Sequence, residues 1–203
     1  MQIVVSVTSL DDAVKAVGVA DVIELRLDLF DSLPEPNKIV ELQKPKIVTV
    51  RRTREGGKYD GSEEERLELI KRYSNFADYV DIENDAGDEF FDVDCKVIES
   101  YHNFRETPSY DELKDMVGAK RGDIFKIATL GRTKSDVLTI TRILTEYEDV
   151  VAFLMGEHFT FTRVMSVFLG SPFIYCYIGK SVAPGQLEAQ KARKIIEILR
   201  GQQ

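Results

Sequence analysis

Residues 123–130 read DIFKIATL, an apolar run of strand length that carries one charge, Lys126, between Phe125 and Ile127. An ammonium boxed in by apolar side chains loses hydration of its charged form, and this favours the neutral, nucleophilic amine. The plainer alternative is a lysine near a strand end, its stem on apolar surface and its head in water. The run before it, KVIESYHNF (residues 96–104), delivers His102 near its end. A lysine on one strand and an imidazole on the strand before it suggest Schiff-base chemistry with a proton shuttle.

Outward from this pair the same kind of β-branched run recurs: QIVVSV (2–7), VIELRLDL (22–29), KIVTVR (46–51), YVDIE (79–83), VVAFLMG (150–156) and FIYCYIG (173–179), eight strands in all. Segments with helical periodicity alternate with them, among them 62–77, 109–119, 134–148 and 187–201. Ser62 followed by Glu65 has the capping-box spacing, and Ser109 precedes Asp111 and Glu112. The connections LDDAVKAVG and EFFDVD are short, so their helices should have one or two turns. Alternating strands and helices point to a parallel sheet, and right-handed crossovers of this length close into a (β/α)8 TIM barrel, a single domain over 1–203. A doubly wound open sheet is the other candidate, but no GxGxxG or GxxxxGK[ST] sequence follows the first strand.

Composition narrows the function classes. A content of 43% hydrophobic and 31% charged residues describes an ordinary globular protein, and no apolar run approaches the roughly 18 residues that span a bilayer. The start MQIVVSVTS lacks the basic opening of a signal peptide, so a cytoplasmic location and no membrane partner are expected. A net charge of -8 argues against nucleic acid, whose backbone calls for a basic footprint. Cys95 and Cys176 form no CxxC or Cys/His ligand pattern and read as reduced core residues, with no metal site expected.

In a barrel of this kind active sites gather at the C-terminal ends of the strands. Glu24, Arg26 and Asp28 alternate along the second run and so share one face. Such charges need partners or a ligand, and a buried ion-pair ladder is the structural alternative. Arg51 ends the third run, Glu83 the fourth and His102 the fifth. VRRTREGGKYDG places Glu55 before Gly56 and Gly57 in what could equally be a surface turn. Past the eighth run, SVAPGQLE leaves Gln186 near the strand ends or simply starts a helix. Arg163 lies in FTFTRVMSVFLGS, where Val164, Met165, Val167 and Phe168 look like a helix face; His158 has no supporting pattern and is expected to be exposed.

Together ELRLD, RxxxEGG, SYHNF with His102, FKIA with Lys126, Arg163 followed by GS at 170 and 171, and APGQ at 183–186 resemble type I 3-dehydroquinate dehydratase, the Schiff-base enzyme of the shikimate pathway. Each motif is weak alone; their order on successive strands is specific, and the resemblance covers nearly the whole chain. It implies that Lys126 attacks the C3 carbonyl of 3-dehydroquinate to form an imine and that His102 removes a C2 proton. The imidazolium then donates to the departing C1 hydroxyl, and hydrolysis releases 3-dehydroshikimate after syn loss of water, with no metal or organic cofactor. Glu55 would orient His102 and raise its pKa. Arg163 would clamp the substrate carboxylate, while Ser6, Glu24, Arg26, Arg51, Ser181 and Gln186 would bind hydroxyls or hold one another. The sequence departs from the family in one place: serine commonly precedes APGQ, whereas here Val182 does and Ser181 stands one place earlier.

Two other functions fit the same pattern. A Schiff-base aldolase would need a phosphate cradle near the last two strands, where this chain offers an arginine and APGQ. A non-catalytic binding barrel would tolerate arginine in place of Lys126. An apolar outer helix face leads us to expect a homodimer, which sedimentation showing only single chains at micromolar concentration would contradict.

Overall fold

The structure, a computed structural model, describes residues 1–201. Its frame is eight parallel strands, β1 (Gln2–Val7), β2 (Val22–Arg26), β3 (Lys46–Thr49), β4 (Tyr79–Glu83), β5 (Lys96–Asn103), β6 (Ile124–Leu130), β7 (Val150–Met155) and β8 (Phe173–Tyr177), one in each apolar run. The ladder orders them β7-β6-β5-β4-β3-β2-β1-β8. Between and after them run α1 (Leu10–Ala16), α2 (Pro36–Val40), α3 (Glu63–Ser74), α4 (Tyr110–Gly118), α5 (Lys134–Glu146), α6 (Phe161–Phe168) and α7 (Ala189–Leu199). The segment EFFDVD forms only the 3-10 turn Asp88–Phe90.

Strand alternation sorts the side chains into an inside and an outside. Val4, Val22, Ile47, Ile98, Ile124, Val151 and Phe173 form one apolar cluster, against which Tyr79 of β4 packs. Side chains from both ends of the sheet meet there, which requires the sheet to curl round on itself into a barrel. Their sequence neighbours point the other way and pack under the helices: Phe125 and Ile127 of β6, for example, meet Leu113 of α4 and Ile140 and Ile143 of α5.

Closure departs from the expected eight-stranded ladder. Among the described residues β7 and β8 share no hydrogen-bonded register; β8 instead pairs with a two-residue strand, β9 (Leu187–Glu188). The last helix therefore starts at 189 rather than 187, capped by the Glu188 carboxylate. Helix α6 packs on both β7 and β8 across this seam.

Local signals account for most helix starts. Ser62 with Glu65 and Ser109 with Glu112 form complete capping boxes, as Thr133 does with Asp136. The second run ends as a strand at Arg26, where the chain turns into the 3-10 segment Leu27–Leu29. Asp28 thus leaves the face assigned to it by alternation and accepts both Nε and Nη2 of Arg26, at 2.9 and 2.8 Å. Cys176 is buried and Cys95 only half-buried, both as free thiols, and His158 is exposed. No helix among the described residues is long and apolar enough to cross a membrane.

Candidate active site

Lys126 points into the barrel, flanked along its own strand by Ile124 and Ala128 of the interior cluster. Phe125 and Ile127, which suggest an apolar box in the sequence, face the helices. The surroundings of Lys126 are therefore different from those the sequence suggests: although 5% exposed, it has a counter-ion. Its Nζ lies 2.9 Å from Asp81 Oδ2 and 4.0 Å from Glu24 Oε1, and 4.0 Å over the ring centre of Tyr175.

Asp81 opens a buried chain of charges. Its Oδ1 accepts from Arg51 Nη2 at 2.5 Å and from Ser100 Oγ at 2.6 Å. Arg51 Nη1 also lies 3.2 Å from Glu83 Oε1, and Glu83 Oε2 accepts from Arg66 Nη1 of α3 at 2.6 Å. Burial opposes ionisation of Asp81, but the charges of Arg51 and Lys126 outweigh it, with the Ser100 hydrogen bond adding to them, and hold the carboxyl well below its usual range. The same pairing works on Arg51, where burial is overcome by Asp81, Glu83 and Glu55 and the guanidinium is held charged. Glu24 accepts from Ser6 Oγ at 2.5 Å and from Thr49 Oγ1 at 3.0 Å, which fixes both its oxygens beside Lys126.

His102 follows from register. Ser100 sits beside Lys126 on adjacent strands and His102 beside Ala128, so the imidazole shares Lys126's face one step nearer the C-terminal rim. Its Nδ1 is 3.1 Å from Glu55 Oε2. Glu55 is brought there by the two glycines that follow it. Gly56 takes a left-handed φ of 78°, and a Cβ on Gly57 would stand 2.0 Å from the Arg51 carbonyl oxygen, so the loop folds back over β3 only with glycine at 57. Lys126, His102, Glu55, Glu24 and Arg51 line one cavity at the C-terminal ends of the strands.

Residues 3–203 match the family described as Type I 3-dehydroquinase. A 3-dehydroquinate dehydratase of Archaeoglobus fulgidus is 56% identical over 182 residues, covering 89% of this chain and 90% of that one. The chain belongs to the type I 3-dehydroquinase family. Its fold agrees: the 3-dehydroquinate dehydratase of Aquifex aeolicus superposes with a TM-score of 0.80 at 28% identity over 98% of both chains. That of Geobacillus kaustophilus superposes with a TM-score of 0.82 at 23% identity, over 98% of this chain and 91% of that one. Type I 3-dehydroquinases are hydro-lyases, and this chain is accordingly a dehydratase.

In this type I 3-dehydroquinase the same cavity receives Ser6, Arg26, Arg163 and Gln186. Gln186 is itself held, donating from Nε2 to the Cys176 carbonyl at 2.9 Å and accepting the Val182 N–H at 3.1 Å. Ser181 does not line the cavity; its Oγ donates to the Ala183 carbonyl at 2.7 Å, and Val182 takes the lining position. Arg163 of α6 is 2% exposed, stacked 4.0 Å over Phe153, with one hydrogen bond from Nη2 to the Pro184 carbonyl and none at Nε. Burial without a counter-ion brings its pKa down to about 10.

Two results of the geometry run against sequence reasoning. Asp81, the nearest charge to Lys126, was not singled out, although the alternation Tyr79, Asp81, Glu83 marks it as clearly as Glu24 and Arg26 are marked. The pKa of His102 is not raised by Glu55. Burial, then Arg51 and Lys126, push it well below its ordinary value against the upward pull of Asp81. The neutral imidazole is the form that can accept a proton. Burial also pushes the pKa of Glu55 up to about 7, against the pull of Arg51 and with help from Glu83.

Proposed function

We propose that this dehydratase works through an imine between Lys126 and C3 of 3-dehydroquinate, with His102 shuttling the proton from C2 to the leaving C1 hydroxyl. One observation carries this reading: the only lysine lining the cavity among the described residues and an imidazole from the adjacent strand, one step nearer the rim on the same face, line the same cavity. Nζ attack expels the carbonyl oxygen as water, the iminium draws electron density from C2, and the C2 proton passes to His102. Glu55, as a carboxylate, accepts Nδ1–H and leaves the other ring nitrogen free as the base. Arg163 supplies the fork for the substrate carboxylate. Arg26, Arg51, Glu24, Ser6 and Gln186 contact hydroxyls or hold one another, and Ser181 reaches substrate only if the 181–186 loop shifts.

Borohydride reduction in the presence of 3-dehydroquinate tests this directly. A reduced adduct at Lys126 is expected by peptide mass analysis; an adduct elsewhere, or none, overturns the reading. His102→Ala should still give the adduct while turnover falls about 10²- to 10⁴-fold, the usual worth of a positioned acid-base group.

The Glu55–His102 contact has a pH signature. Below about 7 Glu55 is protonated and cannot accept Nδ1–H; above it the carboxylate is in place. Activity as kcat/KM should therefore rise with pH through a limb near about 7, and Glu55→Gln should remove that limb. A limb that persists unchanged in Glu55→Gln would assign it to another group.

A further inference from the structure

Arg52 is a buried cation beside the site that the mechanism above leaves without a task. Its side chain is 9% exposed, yet it does not line the cavity. Its main chain helps to build the turn that carries Glu55: the N–H donates to Glu83 Oε1 at 3.2 Å, and the carbonyl accepts from the N–H groups of Glu55 and Gly57, both at 3.0 Å. None of this calls for a guanidinium.

The guanidinium is nevertheless held among four carboxylates. Nη2 donates to Asp85 Oδ1, the one hydrogen bond of this side chain among the described residues. Nη2 also lies 3.7 Å from Glu55 Oε1, Nη1 3.7 Å from Glu63 Oε2 and Nε 3.7 Å from Glu83 Oε1. These three are too long for hydrogen bonds, and Nε has no partner at all. A buried donor set so little used is costly as structure, and it points to a role of charge. Its placement against Glu55 defines that role. Glu55 Oε2 faces His102 Nδ1 at 3.1 Å and Arg51 Nη1 at 3.8 Å, while Oε1 faces Arg52. Arg52 therefore holds the carboxylate from behind, on the oxygen that His102 does not use. Asp85, half-exposed on the turn after β4 and bound by Arg54 Nη2 at 2.7 Å, holds the guanidinium in turn.

We propose, on the basis of the Glu55–His102 reading above, that Arg52 is a positioning residue for the dehydration: its charge keeps Glu55 ionised and turned toward His102, and Asp85 limits how strongly it does so. The charged groups facing Glu55 are Arg51 and Arg52 from the end of β3 and the loop after it, Glu83 and Asp85 from β4 and the turn after it, and His102 from β5. Against the dominant effect of burial, Arg51 and Arg52 favour the carboxylate; Glu83 and Asp85 oppose it. Arg52 and Asp85 thus act in opposite directions, and both act from outside the cavity.

The pH profile of kcat/KM reads this directly. Arg52→Met removes the cation and leaves Asp85, so the limb near about 7 should move up by about 1 pH unit. Asp85→Asn should move it down, by about half a unit because a half-exposed charge is screened. Arg52→Lys keeps the charge and should leave the limb closer to the parent's than Arg52→Met does. The double variant Arg52→Met, Asp85→Asn loses both signs together and should return to within about half a unit of the parent. On the plateau above the limb, kcat of Arg52→Met should fall about 3- to 10-fold with KM within about 2-fold, since a loosened Glu55 aligns His102 less often while the cavity lining is untouched. A merely structural arginine would lower activity without moving the limb, or would shift both single variants the same way. An unmoved limb in Arg52→Met, shifts of the same sign in the two single variants, or a loss carried by KM each overturns the assignment. If the parent's limb survives Glu55→Gln, the Glu55–His102 reading fails instead, so the two failures are told apart.

Discussion

Lys126→Met is expected to lower turnover by roughly 10⁴-fold or more, the scale of loss when a covalent nucleophile is removed, and to leave nothing for borohydride to trap. The same substitution acts on the fold. Asp81 loses the partner held at 2.9 Å, while Arg51 and Ser100 still serve its other oxygen. Breaking a buried pair from one side costs about 3–5 kcal/mol, and the remaining partners should place this case toward the low end. Adding Asp81→Asn removes the stranded charge, so the double variant should regain about 1 kcal/mol or more over Lys126→Met in chemical denaturation. It should stay inactive. That split separates the two roles of the lysine, as counter-ion and as nucleophile. A double variant no more stable than the single one would mean that Asp81 and Lys126 are not coupled; residual turnover near the parent's would remove Lys126 from the chemistry.

This pair also marks where the sequence was legible and where it was not. Period-2 runs and capping boxes are local, and so the strands and the starts of α3 and α4 could be read directly. Lys126 stands out in the sequence because of its apolar neighbours, yet those neighbours lie on the other face of the strand. Residues adjacent in a strand point to opposite faces, so Phe125 and Ile127 say nothing about what surrounds the amine. Its true neighbours, Asp81 and Tyr175, come from β4 and β8, strands far from it in sequence and brought near only by curling of the sheet. Arg66 is a similar case: in EEERLELIKRY it reads as one more solvated charge on a helix, yet it is fully buried, donating to Glu83 and stacked 4.4 Å over Phe90. The seam between β7 and β8 and the turn that puts Val182 rather than Ser181 at the cavity depend on accumulated sheet geometry and loop conformation, for which eight residues of local sequence carry no signal.

Arg163→Met should produce the opposite pattern from Lys126→Met: a large functional loss with no loss of stability. A guanidinium that is 2% exposed, with one hydrogen bond to Pro184 and an empty Nε, is a buried charge without an anion. The folded protein carries that desolvation cost in the absence of substrate, and methionine of similar length would not. The unfolding midpoint of Arg163→Met should therefore equal or exceed the parent's. Substrate binding reverses the balance. A carboxylate delivered to the fork completes a charge-assisted pair in a site where Phe153 already fixes the guanidinium plane at 4.0 Å. Truncating one side of such a pair costs about 2–5 kcal/mol, or roughly 30- to several-thousand-fold in kcat/KM. Arg163→Lys keeps the charge but not the planar fork and should fall between the two. Ligand-induced thermal shift provides a check independent of turnover. Saturating product, which retains the carboxylate, should raise the unfolding temperature of the parent and leave that of Arg163→Met nearly unmoved, because stabilisation by linkage follows RT ln(1 + [L]/Kd). If Arg163→Met unfolds earlier than the parent and still binds product with unchanged affinity, Arg163 is a packing residue of α6 and the carboxylate must be held elsewhere in the cavity.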